Sequence, residues 1–139
     1  MYCMVKAAQD HNTPFRYQDL KAYGKNVALY PGVEEWFSMI NAYGKTQGIE
    51  IKHYIISSGL KEMLEGTKIA KEFKQIYASS FIYDNNSVPF WPATVVNYTE
   101  KTQYLFRINK GCEDITDNSK INQYVKEEDR PIPFEHMIY

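Results

Sequence analysis

Apolar and polar positions follow two different periods along this chain, and the changes between them mark its elements. Over residues 49–60, Ile49, Ile51, Ile55 and Ile56 make an apolar, β-branched run that ends on Ser57-Ser58-Gly59, the pattern of a strand closing in a tight turn. Leu60-Lys-Glu-Met-Leu64 then takes up helical spacing. Upstream, Val33, Trp36, Phe37, Ile40 and Tyr43 recur at helical spacing between Pro31-Gly32 and Gly48, which predicts an amphipathic helix packed on a sheet. The opening predicts a helical pair. Residues 2–8 form the first helix and Gln9-Asp-His-Asn12 a polar break. Thr13-Pro14 then caps a second helix with Phe15, Leu20 and Tyr23 inward and Gly24 as its stop.

Beyond Gly66, residues 67–73 predict further helix and Gln75-Ile-Tyr-Ala78 the next strand. Strands alternating with helices imply a parallel sheet with right-handed crossovers. The order changes after Ser79. Ser80-Phe-Ile-Tyr83 and Ala93-Thr-Val-Val96, joined through Asp84-Asn-Asn-Ser87, Pro89 and Pro92, predict an irregular antiparallel hairpin at the sheet edge. Thr99 reads as the cap of a helix over 100–110 with Tyr104, Leu105 and Ile108 inward and Gly111 at its end. Lys101 falls in the first turn of that helix, where a cation opposes the helix dipole; a solvated surface lysine is the plain alternative. A polar insertion over 112–119, a short helix over 120–126 opening on Lys120, and an extended linker over 127–133 follow. The apolar run 134–139 reads as a strand.

Composition narrows the class. At 139 residues with 44% hydrophobic positions, the chain is sized for one domain with a real core. A net charge of -1 supplies no basic excess to displace counterions, which argues against nucleic acid and anionic membranes as partners. Cys3 and Cys112 stand far apart without a C-x-x-C, so neither a disulfide framework nor a zinc site is indicated. Two free thiols, no membrane-length apolar run and no signal-peptide pattern give a cytoplasmic protein as the expectation.

In an open α/β sheet, ligands bind at the carboxyl ends of strands, and the start of a helix presents unpaired N–H groups to an anion. Ser57, Ser58 and Gly59 are therefore the candidate phosphate-binding residues; helix capping by the serines is the alternative. Three features in order, Tyr30-Pro31-Gly32-Val33-Glu34-Glu35 before a helix, Ile55-Ile56-Ser57-Ser58-Gly59 ending a strand, and a lysine at a later helix start, make residues 30–139 resemble the haloacid dehalogenase superfamily, phosphatase type. The resemblance implies an α/β fold with a three-layer Rossmann-like core and a parallel sheet, incomplete here, over residues 29–139. Residues 1–28 would be the remnant of a helical cap. It also implies a parent phosphatase acting on a small phosphorylated substrate through an aspartyl-phosphate. In that family an Asp on the first strand attacks phosphorus, an Asp two residues on is acid and base, and Mg2+ is held partly by acidic residues after a later strand. Ser57 would hydrogen-bond the phosphoryl oxygens with the N–H groups around Ser58 and Gly59, and Lys101 would balance charge as the catalytic lysine, with Lys120 its rival.

The departures shape the expectation. The aspartates are Asp10, Asp19, Asp84, Asp114, Asp117 and Asp129, so no Asp-x-Asp pair exists, and Asp114-Ile-Thr-Asp117 reads as a solvated turn. The chain is expected to be an internal piece of a longer phosphatase, inactive alone and holding no metal. A small α/β anion-binding or interaction module without catalysis is the alternative. A nucleotide-binding domain is weaker, because neither G-x-G-x-x-G nor G-x-x-x-x-G-K-[ST] occurs. A missing nucleophile strand leaves a slot beside the central strand. The slot is expected to be filled by residues 136–139 or by a second copy of the chain in a homodimer.

Overall fold

The computed structural model describes residues 1–139 and divides them into two units, Met1–Val96 and Asn97–Tyr139. In the first, helices α1 (Tyr2–Asp10), α2 (Tyr17–Lys25) and α3 (Val33–Thr46) precede strand β1 (Tyr54–Leu60), the short helix α4 (Lys61–Gly66), and strands β2 (Gln75–Tyr83) and β3 (Pro89–Thr94). The second contains helix α5 (Lys101–Asn109) and two single 3-10 turns, Glu127–Asp129 and Phe134–His136. Within the first unit, α2 packs along α4. No helix is long and apolar enough to cross a membrane.

The central strand begins later than its apolar run. Gly48 ends α3 with φ of +70°, and the Ile49 N–H turns back to the Gly44 carbonyl at 2.9 Å. Ile51 then lies against Gly44, so close that a Cβ there would sit 2.8 Å from the Ile51 Cδ1. Ile49 and Ile51 thus close the end of a helix rather than enter a ladder, and β1 runs on through both serines to Leu60.

β1 and β2 are parallel, paired Tyr54↔Gln75 through Ser57↔Ala78 and then Leu60↔Ser79. β2 is one continuous strand where the sequence predicts two runs separated at Ser79. From Ser80 it pairs antiparallel with β3, as Ser80↔Thr94, Phe81↔Pro92, Ile82↔Trp91 and Tyr83↔Pro89, with two register shifts. The prolines sit on this edge strand, where a missing donor costs no ladder bond. The class is therefore α/β, with a small mixed sheet of three strands in the order β1-β2-β3. Val5 from α1, Leu20 from α2 and Phe81 from β2 form its core, joined by Met1, Phe15, Leu60, Met63 and Tyr83. Phe37 is buried edge-on against His53 and Phe73, at 5.0 and 5.3 Å between ring centres. Tyr23, Trp36 and Tyr43, predicted inward, are exposed.

Several expected elements are replaced, each for a local reason. Residues 67–73 form no regular helix beyond a 3-10 turn at Ala70–Glu72; the Thr67 hydroxyl and N–H both donate to the Leu64 carbonyl and close α4. The N-cap of α5 is Glu100 rather than Thr99, and Asn97 closes the turn that leads into it. The Asn97 Oδ1 accepts the Thr99 N–H at 2.9 Å and the Glu100 N–H at 3.3 Å, while the Glu100 carboxylate takes the Asn97 N–H. Residues 120–126 form turns followed by irregular chain, and the Lys110 ammonium donates to the Ile121 and Gln123 carbonyls at 2.8 and 3.1 Å, holding that segment to α5 in a non-helical path. The run 134–139 is a 3-10 turn and an irregular tail instead of a strand. Within the first unit, β1 is an edge of the sheet with β2 as its neighbour.

Candidate functional site

The turn at the end of β1 is a bulge. Between the pairs Ser57↔Ala78 and Leu60↔Ser79, β1 carries two residues that β2 does not match, and Ser58 and Gly59 are pushed out of the ladder into solvent. Bulges of this kind re-aim side chains at strand ends. The Ser57 Oγ accepts the Gly59 N–H at 3.0 Å. A Cβ on residue 59 would lie 3.2 Å from that oxygen, so glycine is what lets the hydroxyl close over the turn. A serine hydroxyl that accepts one hydrogen bond still has its own proton to donate.

The bulge is tied to β2 from below. The Ser79 hydroxyl donates to the Ser58 carbonyl at 3.3 Å, and its oxygen accepts the Val96 N–H at 2.9 Å. Ser79 is buried. Neither serine caps α4, whose N-cap residue is Leu60 with no side-chain bond. At six residues, α4 is too short to bring much of a helix dipole to the turn. The Gly59 N–H is also committed to Ser57, and the serine hydroxyls remain as donors the turn can offer.

Behind the turn lies a carboxylate and phenol cluster that the sequence pattern conceals. Glu62 is 2% exposed, and its Oε1 accepts the Phe81 N–H at 3.0 Å. Its second oxygen and the Tyr83 hydroxyl are buried with no hydrogen-bond partner. Burial first, and then the Glu62 carboxylate beside it, push the Tyr83 phenol well above the ordinary range. The Tyr17 hydroxyl donates to Glu65 at 2.7 Å, and this bond, with burial, raises its pKa from 10.0 to about 12. Because the fold favours the neutral phenol, this stabilisation is complete below pH 10 and is lost as the pH rises from about 10 to about 12. Alkaline titration should show Tyr17→Phe less sensitive to that interval than the unaltered chain, read as unfolding midpoints in urea; equal sensitivity would count against the bond.

Lys101 occupies the first turn of α5, half-buried, in the second unit. Lys120 lies in a turn, with its carbonyl accepting the Gln123 N–H. Ser57, Ser58 and Gly59 are therefore brought together, while the lysine belongs to the other unit. The Asp114 Oδ1 takes the N–H and hydroxyl of Thr116, and the Asp117 Oδ1 those of Ser119. These bonds hold both carboxyls below the usual range. Both residues sit in solvated turns, as their spacing predicts. No three His, Cys, Asp or Glu side chains converge where a metal ion would be held.

What the geometry defines is a small α/β unit with a hydroxyl-bearing bulge at a strand's carboxyl end. An uncharacterized protein of Borreliella burgdorferi is similar to this chain, at 32% identity over 134 aligned residues that cover 84% of the chain and 45% of that protein. The chain thus spans less than half the length of the curated relative it matches. No family model and no solved structure matches it.

Proposed function

We propose that this chain is an internal part of a haloacid dehalogenase-like hydrolase, the parent being a magnesium-dependent phosphatase that acts through an aspartyl-phosphate on a small phosphorylated substrate. In this reading the chain contributes the phosphate cradle and the charge-balancing lysine, and does not turn over by itself. The observation that carries it is the bulge. A parallel strand ends with Ser57 half-buried, its hydroxyl oxygen bonded by the Gly59 N–H, beside a second, exposed hydroxyl at Ser58. Phosphoryl transfer is mainly positioning and charge stabilisation, and it needs donors fixed before the substrate arrives. The Gly59 bond and the Ser79 tie supply that rigidity. The greater length of the Borreliella relative agrees with a parent that carries the remaining parts.

Inorganic phosphate titrated into the labelled chain should shift the amides of residues 57–59, weakly, and Ser57→Ala should abolish the shifts. Lys101→Met should weaken the response more than Lys120→Met. Shifts centred on Asp114 and Asp117 instead would refute the cradle, and the reverse lysine ranking would move the charge-balancing role to Lys120.

A further inference from the structure

α4 leaves the sheet where β2 loses its parallel neighbour. The last β1 pair is Leu60↔Ser79, and from Ser80 onward β2 pairs with β3 on its other side. The Phe81 N–H therefore faces an edge that β1 has already left. A buried N–H needs an acceptor, and Glu62 provides it, with Oε1 at 3.0 Å. A side-chain carboxylate here stands in for the carbonyl of a strand that has turned into a helix.

The choice of residue is expensive, which is what makes it informative. Only one of the Glu62 oxygens meets a backbone donor, the other being buried against the Tyr83 hydroxyl without a well-formed bond, and burying a carboxylate so incompletely bonded costs stability. Glu62 follows Gly59 by three residues, in the first turn of α4. Fixing its carboxylate to Phe81 fixes that turn, and through Leu60 it fixes the far end of the bulge. Ser79 holds the near end through the Ser58 carbonyl. Two alternate residues of β2, Ser79 and Phe81, thus grip the bulge at both ends.

We propose that Glu62 is a positioning residue for the Ser57-Ser58-Gly59 turn: by holding the Phe81 N–H it sets the angle at which α4 departs and the direction in which the serine hydroxyls point. The proposal rests on the reading of this turn as a phosphate cradle, and it concerns what aims the cradle rather than what touches the ligand.

The test compares Glu62→Gln with Glu62→Leu in the full chain, using amide shifts, amide exchange, urea unfolding and titration with inorganic phosphate. Glutamine keeps an acceptor for Phe81 and should leave the turn shifts and the phosphate response near those of the unaltered chain. Leucine removes the acceptor. Phe81 should then exchange roughly tenfold faster, about the effect of losing one buried hydrogen bond. The Ser58 and Gly59 amides should move even without phosphate, and their response to phosphate should fall several-fold under conditions where the variant remains folded. If the leucine variant does not fold, Glu62→Asp, whose carboxylate stops one methylene short of Phe81, should displace the same amides. A leucine or aspartate variant that loses stability while the Ser58 and Gly59 shifts stay in place would overturn the proposal, making Glu62 a core group only. If the unaltered chain shows no phosphate response at all, the cradle reading fails, and the ligand-free shifts still decide whether Glu62 aims the turn.

Discussion

The chain of 139 residues is expected to show no magnesium-dependent hydrolysis of p-nitrophenyl phosphate above background. A longer form that adds an Asp-x-Asp strand upstream and acidic residues downstream should hydrolyse it. The nucleophile is what this chain lacks. Covalent phosphoryl transfer needs a carboxylate aimed at phosphorus, and the two aspartates nearest each other in sequence, Asp114 and Asp117, spend an oxygen each on the turns that hold Thr116 and Ser119. Hydrogen-bond donors alone do not close the gap. Enzymes accelerate phosphate monoester hydrolysis by up to about 10²¹-fold, whereas active sites stripped of their nucleophile keep only roughly 10³- to 10⁴-fold from the surrounding donors and binding contacts. That remainder is invisible in a chromogenic assay. Turnover that survives repurification of this chain and vanishes with Ser57→Ala would show that its own residues suffice. A longer form that stays inactive while binding phosphate at residues 57–59 would favour an anion-binding module.

How far the sequence led can be seen at particular residues. Helical spacing located α3 and α5, a short apolar segment located α1, and the turn after Ile56 located the candidate site, because these depend on neighbours a few positions apart. The slip of β1 was not legible. Ile49 and Ile51 are as β-prone as Ile55 and Ile56, and only the return of the chain across Gly44 decides that they close a helix. Residues 134–139 have the composition of a strand and form none, since a strand needs a partner's ladder and propensity cannot supply one. Glu62 was hidden for another reason. An acidic residue in the first turn of a helix is what the helix dipole favours in solvent, so nothing in Lys61-Glu62-Met63 signals that the carboxylate faces inward. Lys110 and Arg107 were equally silent. Arg107 is buried, donating to the Asp114 carbonyl at 2.9 Å and the Asn118 side chain at 2.6 Å, and with Lys110 it organises loops that composition describes only as polar.

Replacing Gly24 or Gly66 by alanine is expected to destabilise the first unit more than any other single methyl addition to it. Periodicity reads both glycines as helix ends, but Gly24 is buried within α2 and faces the last residue of α4. A Cβ on Gly24 would collide with the Met63 carbonyl oxygen and lie 2.9 Å from the Gly66 Cα; one on Gly66 would collide with the Lys21 carbonyl oxygen and lie 3.1 Å from the Gly24 Cα. The two helices thus cross backbone against backbone. Two effects compete. Alanine is better than glycine in a helix interior by about 1 kcal/mol. The obstacle, however, is a carbonyl belonging to a helix, which cannot rotate aside as a side chain can, so the helices must separate. Separation loosens Leu20 and Met63 in the core, and overpacking of this kind costs about 1–3 kcal/mol, occasionally more. The cost should win, giving a net loss of about 2 kcal/mol for each variant, a sizeable part of the roughly 5–15 kcal/mol that holds a domain together. Gly44→Ala is the useful comparison, because its nearest obstacle is the movable end of the Ile51 side chain, at 2.8 Å; its loss should be smaller. The double variant Gly24→Ala/Gly66→Ala should lose less than the sum of the two, since the first methyl already opens the gap that the second would occupy. Urea unfolding followed by circular dichroism measures all four proteins. Single variants within about 0.5 kcal/mol of the parent, the ordinary range for surface changes, would mean that α2 and α4 are not in backbone contact, and the tie from α2 through α4 to the serine turn would go with it.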